Sequence, residues 1–160
     1  MTKEEHEEKF IHFVSCIEDL NNAWRILKRI KKRKNNSLAY AAFQFALIEY
    51  SKPYKISYGK VTPKHWGVGT DYVPAEYVSL HTQILNKRDT FLAHSDLNIK
   101  DARLHVENNN WGKSALISQN IVDVTAEFLK IDEILDLIEK TILAMYKEQD
   151  LLISGLTPDA

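Results

Sequence analysis

Along residues 10–30, Phe10, Phe13, Val14, Ile17, Leu20, Trp24, Leu27 and Ile30 recur at spacings of three and four. That pattern predicts an α-helix with one apolar stripe. Thr2 followed by Glu5 reads as a capping box, and Glu4, Glu7 and Glu8 suit the positive end of the helix dipole. Lys28, Arg29, Lys31, Lys32, Arg33 and Lys34 suit its negative end, and Asn35 and Asn36 stop it. Ser37 is a candidate cap for a second helix through Ala39, Ala42, Phe43, Ala46, Leu47 and Tyr50, with Pro53 as its stop.

From Lys52 to Val73 the pattern dissolves into Pro53, Gly59, Pro63, Gly67 and Gly69, which predicts a long loop with a short helical turn after Thr62 and Pro63. Loops of that length are often functional. Pro74 opens a third helix through Tyr77, Leu80, Ile84, Leu85, Phe91 and Leu92 to about His94. Ala102, Leu104 and Val106 then alternate with Arg103, His105 and Glu107, and Asn108, Asn109, Asn110 and Gly112 follow as turn formers before Ser114 to Ser118. This reads as a β-hairpin. A last helix from about Asp123 to Leu152 carries Phe128, Ile131, Leu135, Ile138, Ile142 and Met145 at helical spacing, ahead of a tail with Ser154, Gly155 and Pro158. The expected fold is therefore all-α, an antiparallel bundle of four and up to five helices with a small β-hairpin insertion near 101–118. The 160 residues suit a single domain over 1–160.

Composition narrows the function classes more than it selects one. A hydrophobic fraction of 44% with 27% charged residues is ordinary for a globular chain and argues against disorder. Cys16 is the only cysteine, so neither an internal disulfide nor a Cys-based zinc site can form. It sits beside the core stripe, where a thiol is inert. Met1 to Glu8 is acidic and polar, the opposite of a signal peptide's basic start and apolar core. No apolar run approaches the ~18 residues a membrane span requires. A cytoplasmic protein without membrane contact is expected. The formal net charge of −1 gives no global pull towards nucleic acid, so an RNA site has to come from a local arrangement.

The segment that stands out is Arg88-Asp89-Thr90-Phe91-Leu92-Ala93-His94-Ser95-Asp96, where strong polar groups crowd an otherwise apolar helix end. An Arg with a polar neighbour and a His after five intervening residues resembles the HEPN superfamily. The Ala93-His94-Ser95-Asp96 ending is similar to small bacterial HEPN proteins of the abortive-infection type. Glu49-Tyr50-Ser51-Lys52-Pro53-Tyr54 looks like the aromatic-and-proline end of their second helix. The resemblance implies a ribonuclease that needs no metal or other cofactor. It implies a toxin or phage-defence effector acting as a homodimer, with RNA as substrate and an antitoxin or defence protein as partner. Carried over residue by residue, His94 is the acid or base, Arg88 the phosphate clamp and Asp89 the group that orients it. Thr90 and Ser95 add hydrogen bonds.

The chemistry asks for those residue types. RNA is cut when its 2′-hydroxyl attacks the adjacent phosphate, which needs a proton carrier near neutrality and a cation for the charge gathering on phosphorus. An unperturbed histidine, pKa ~6.5, serves the first need. Arginine's permanently charged fork serves the second. On a regular helix, six steps of ~100° set Arg88 and His94 about 120° apart, so the helix must bend or end between them, or the two meet across a dimer axis. His81 lies seven residues before Arg88 and roughly on its face, a candidate second histidine for substrate binding.

Structural roles compete for each of these residues. Arg88 and Asp89 suit an ion pair, and His94 suits a helix C-terminus. The basic run from Lys28 to Lys34 can face phosphates, though a solvated helix end accounts for it better. Trp66, Tyr72 and Trp111 can stack on bases, though pinning loops to the bundle is the expected role. A His-Glu-x-x-His pair, a glycine-rich phosphate loop and a Gly-x-Ser-x-Gly elbow are all missing from the sequence. His6 and His12, six apart on a polar face, match no metal spacing. Two alternatives to the nuclease stay open. One is a non-catalytic bundle that binds RNA, a nucleotide or a partner protein, with the 54–72 loop as its surface. The other is a metal-binding four-helix enzyme using His81, His94 and Asp96.

Overall fold

In the computed structural model, residues 2–33, 38–65, 67–89, 103–118 and 125–156 are described. They are mostly helical, with one small antiparallel sheet. The elements are α1 (Lys3–Lys31), α2 (Ala39–Ser51), α3 (Val78–Lys87), β1 (Arg103–Asn109), β2 (Gly112–Ser118), α4 (Thr125–Leu129) and α5 (Ile131–Ser154). Among the described residues, no helix is long and apolar enough to cross a membrane.

The α1 capping box is formed: the Thr2 hydroxyl accepts from the Glu5 amide at 3.2 Å, and the Glu5 carboxylate accepts from the Thr2 amide at 2.7 Å. Phe13, Cys16, Ile17, Leu20, Ala23, Leu27 and Ile30 are the buried positions of this helix. Trp24 lies at the edge of that stripe, and its indole N–H donates to Glu139 of α5 at 2.7 Å. Lys28 and Lys31 pair with Glu139 and Asp132, so the end of α1 lies beside the beginning of α5. α2 returns along the other flank of α1, and Lys52 at its end reaches Asp19. Phe43, Leu47 and Tyr50 of α2 meet Leu20 and Leu27 of α1 and Ile134, Leu137, Ile138 and Met145 of α5 in one core.

Several boundaries differ from the sequence expectation. Ser37 lies outside the described residues, and α2 begins after Leu38 without a side-chain cap. It ends at Ser51 and tightens into a 3-10 turn, Lys52–Tyr54, in which Pro53 is buried. A proline has no amide to continue the helical ladder. No helical turn follows Thr62 and Pro63. Instead Ser57 and His65 form an antiparallel bridge, with N···O distances of 3.0 and 2.9 Å. The helical turns of this stretch come later, at Thr70–Tyr72 and Ala75–Tyr77, ahead of α3.

The last helix is two segments, interrupted at Lys130. The Lys130 amide donates to the Glu127 carbonyl, a tighter turn, and Phe128 packs on the rings of Tyr40 and Phe43. Asp123 lies outside the described residues. The hairpin is present with register Leu104↔Ile117 and Val106↔Ala115, and Gly112 takes φ 122° at its turn. A side chain rarely adopts that backbone conformation. Both faces of the hairpin are exposed along its whole length.

Candidate functional site

Arg88 sits where α3 ends. Its amide still reaches the Ile84 and Leu85 carbonyls, but residues 88–89 wind more widely than an α-helix. Such π-type widening is rare and frequently found at functional sites. Arg88 forms one wall of a cleft of about 480 Å³. α1 contributes His12, Ser15, Cys16 and Asp19 to it, and the segment leaving α2 contributes Lys52, Lys55 and Ser57. The α1 residues fall at spacings of three, four and seven, one polar edge beside the apolar stripe.

The charges of the cleft are organised by carboxylates behind it. Arg88 Nη1 donates to Asp89 at 2.9 Å, and Lys55 Nζ bonds the other oxygen of the same carboxylate at 2.5 Å. Burial pushes the Asp89 carboxyl up, but the hydrogen bonds and charges of Lys55 and Arg88 outweigh it and hold the group below its usual range. Lys52 is held by Glu49 and Asp19, and its hydrogen bond to Glu49 raises it above an ordinary lysine. Asp19 is pushed up by burial, with Lys52 opposing. The Arg88 Nε is shielded from solvent and has no acceptor among the described residues.

His12 stacks on His65, ring centroids 4.7 Å apart and planes 14° from parallel. Burial lowers the His12 imidazole below its usual value, and the neighbouring His65 adds to the effect. His65 is fixed in turn by Glu8 at 2.9 Å. The Glu8 carboxylate also accepts the amides of Lys60, Val61 and Thr62 at 2.6 to 2.8 Å. With Glu8 this close, Gly59 has no room for a Cβ, which would collide with the carboxylate and the His65 ring. Cys16 is buried in the cleft floor and its thiol is pushed up to about 12, first by burial and then by Asp19. A thiol that reluctant to ionise is no nucleophile.

Of the residues singled out by sequence, Arg88 lines this cleft and Asp89 holds it from behind. Thr90, His94, Ser95 and Asp96 lie outside the described residues. His81 is inside the molecule, 2% exposed, with Nδ1 2.7 Å from the Tyr50 hydroxyl and its ring against Tyr54. Burial lowers its pKa. A neutral imidazole enclosed by two tyrosines offers no edge to a substrate. Tyr72 packs edge-on against Phe13, as a loop-pinning residue should. Trp111 does not: it is 96% exposed at the hairpin tip. Trp66 lies outside the described residues. Sequence reasoning passed over His12, Ser15, Asp19, Lys52 and Lys55. The legible signal was the helical spacing of His12, Ser15 and Asp19. Among the described residues, no three His, Cys, Asp or Glu side chains are grouped to hold a metal ion.

Comparison with protein-family models, with curated proteins and with solved structures finds no match to this chain.

Proposed function

We infer that the chain is a metal-independent endoribonuclease of HEPN type, a toxin or phage-defence effector that works as a homodimer. In this reading the helices form an antiparallel bundle, and the reacting phosphate lies against Arg88 at the mouth of the cleft. The 2′-hydroxyl loses its proton as its oxygen bonds to phosphorus, the bond to the 5′-oxygen breaks, and that oxygen gains a proton. His94 exchanges one of these protons. Arg88 holds the charge on the phosphoryl oxygens, and Asp89 orients the guanidinium.

The observation that supports the reading is the position of Arg88. It is part-buried in the wall of a cleft, oriented by Asp89, with Lys55 on the far side of the same carboxylate. A cation fixed in this way needs little reorganisation to meet a developing anion. The test is cleavage of RNA in excess EDTA by the wild type, Arg88→Ala and His94→Ala. Each substitution is expected to lower the rate by about 10² or more, the usual scale for one acid–base or electrostatic group. Unchanged cleavage in both variants overturns the assignment.

The Arg88–Asp89–Lys55 network also favours a second reading, because an arginine already held by an acid can serve binding alone. The chain would then be a HEPN-like module that holds RNA, a nucleotide or a partner protein. RNA bound but left intact by the wild type selects it.

A further inference from the structure

The cleft extends well past Arg88, and the chemistry proposed for Arg88 and His94 leaves its α1 side without a role. Three fixed cations line the cleft, Lys52, Lys55 and Arg88, against one carboxylate, Asp19. The acids that hold these cations in place, Glu49 and Asp89, do not line it. With Glu49 and Asp89 counted, three cations meet three carboxylates and the cluster carries no net charge, but the groups turned to the cleft are mostly N–H donors, which suit an anion.

The donors also outnumber the acceptors they serve. An ammonium has three N–H bonds and a guanidinium five. Among the described residues, Lys55 and Arg88 each donate one side-chain hydrogen bond, both to the Asp89 carboxylate. Ser15 uses its proton on the Ile11 carbonyl at 2.8 Å, so its oxygen stays open to accept from a ligand hydroxyl. His12 is stacked in place beside them; its Nε2 faces the Cys16 thiol at 3.9 Å, which leaves Nδ1 for a ligand. The volume, about 480 Å³, is within the ~300–1,000 Å³ usual for a small-molecule site.

We propose that the cleft between α1 and residues 52–57 is a seat for a nucleotide phosphate. Lys55 and Lys52 are its cations, and His12 and Ser15 face the sugar side. The seat rests on the ribonuclease reading only in one respect, which is that the nucleotide belongs to the strand whose neighbouring phosphate meets Arg88. A phosphate on a free nucleotide offers the same chemistry, and the experiment separates the two sources.

The probe is a fluorescein-labelled oligouridylate of twelve residues with 2′-O-methyl sugars. It has no free 2′-hydroxyl and cannot be cut by internal attack. Anisotropy titrations compare the wild type with Lys55→Gln, Ser15→Asp and, as a control of equal charge change on the exposed hairpin and outside the residues that line the cleft, Lys113→Gln. Ser15 is exposed on α1, so placing an acid there leaves the core alone while setting a negative charge in the seat. The cleft variants are expected to weaken binding about tenfold or more, with Lys113→Gln unchanged, and Lys55→Gln is expected to flatten the salt dependence by about 0.7 in log–log slope for a lost contact to a single strand. Uridine monophosphate as competitor distinguishes the sources. Displacement at concentrations matching its share of the strand's affinity assigns the seat to a free nucleotide, and weak displacement assigns it to a strand; both support the seat.

Wild-type binding that Ser15→Asp and Lys55→Gln leave untouched overturns it, as does a wild type that binds no probe. Cleavage of unmodified RNA is read separately. A wild type that binds the probe in this pattern but cuts nothing removes the ribonuclease and keeps the seat. One that cuts with both cleft variants binding normally does the reverse.

Discussion

Glu8 of α1 organises the middle of the long loop. Its two oxygens accept three consecutive backbone amides and the His65 ring. The amides of Val61 and Thr62 are the main reason its carboxyl falls from 4.5 to about 2. A carboxyl depressed by folding stabilises the fold fully above its unfolded pKa, and the contribution fades as pH falls through the folded value. The window is therefore pH ~4.5 down to ~2. His81 acts in the same direction but earlier, since its buried, lowered imidazole must be protonated as pH drops below the ordinary histidine value of ~6.5. Urea midpoints measured from pH 7 to pH 2.5 are expected to decline in both windows. Glu8→Gln should start lower at pH 7 and lose the lower part of the slope. A Glu8→Gln curve parallel to the wild type throughout would show that the carboxylate's charge is irrelevant to the loop.

Among the elements, the helices declared themselves because one face of each is buried at helical spacing. Leu20, Leu27, Leu47, Leu137 and Ile138 all sit at the centre with no exposed surface. The hairpin was legible from its alternation and its Asn-rich turn, although its strands are exposed on both faces. The interruption at Lys130 left no trace in the sequence, because Phe128, Ile131 and Leu135 keep helical spacing across it. The bridge between Ser57 and His65 was hidden for a different reason: its organiser is a carboxylate about fifty residues away acting on backbone amides, which have no sequence signature. The cleft was singled out only at Arg88, with Asp89 behind it; the helical spacing of His12, Ser15 and Asp19 was visible, but nothing in the sequence joins that edge of α1 to the exit of α2.

Stability should divide along the same line. Leu20→Ala, deep in α1, is expected to cost about 2–5 kcal/mol. Trp111→Ser at the hairpin tip should stay within about 0.5 kcal/mol of the wild type. Chemical denaturation of the two variants checks both, and a large loss at Trp111 would mean the hairpin is covered in solution.

At the scale of the whole molecule, α1 is the common wall. It packs against α2 and α5, lines the cleft, and through Glu8 holds the loop that carries His65. Contacts among the helices are largely between elements that run side by side; the two ends of the long loop are anchored by Pro53, Tyr54, Tyr72 and Val73, while its middle, Lys60 to Thr62, is held by polar bonds to Glu8. Native proteins open locally in cooperative units, and polar, sparsely packed segments open first.

Because the Lys60, Val61 and Thr62 amides end on a side chain of α1's second turn, the loop cannot be more persistent than that turn. Fraying of the helix start releases the amides, and with them the seat of His65 under His12. The opening of a distant helix terminus and the exchange of loop amides with solvent deuterium then share one equilibrium. Thr2→Ala, which removes the cap and costs about 1 kcal/mol of helix start, is expected to speed exchange at Lys60, Val61 and Thr62 roughly fivefold. The core amides of α5 should keep their protection in the same experiment. The cap of the first helix thus acts as a remote rheostat on one wall of the cleft, setting how much of the time that wall is assembled.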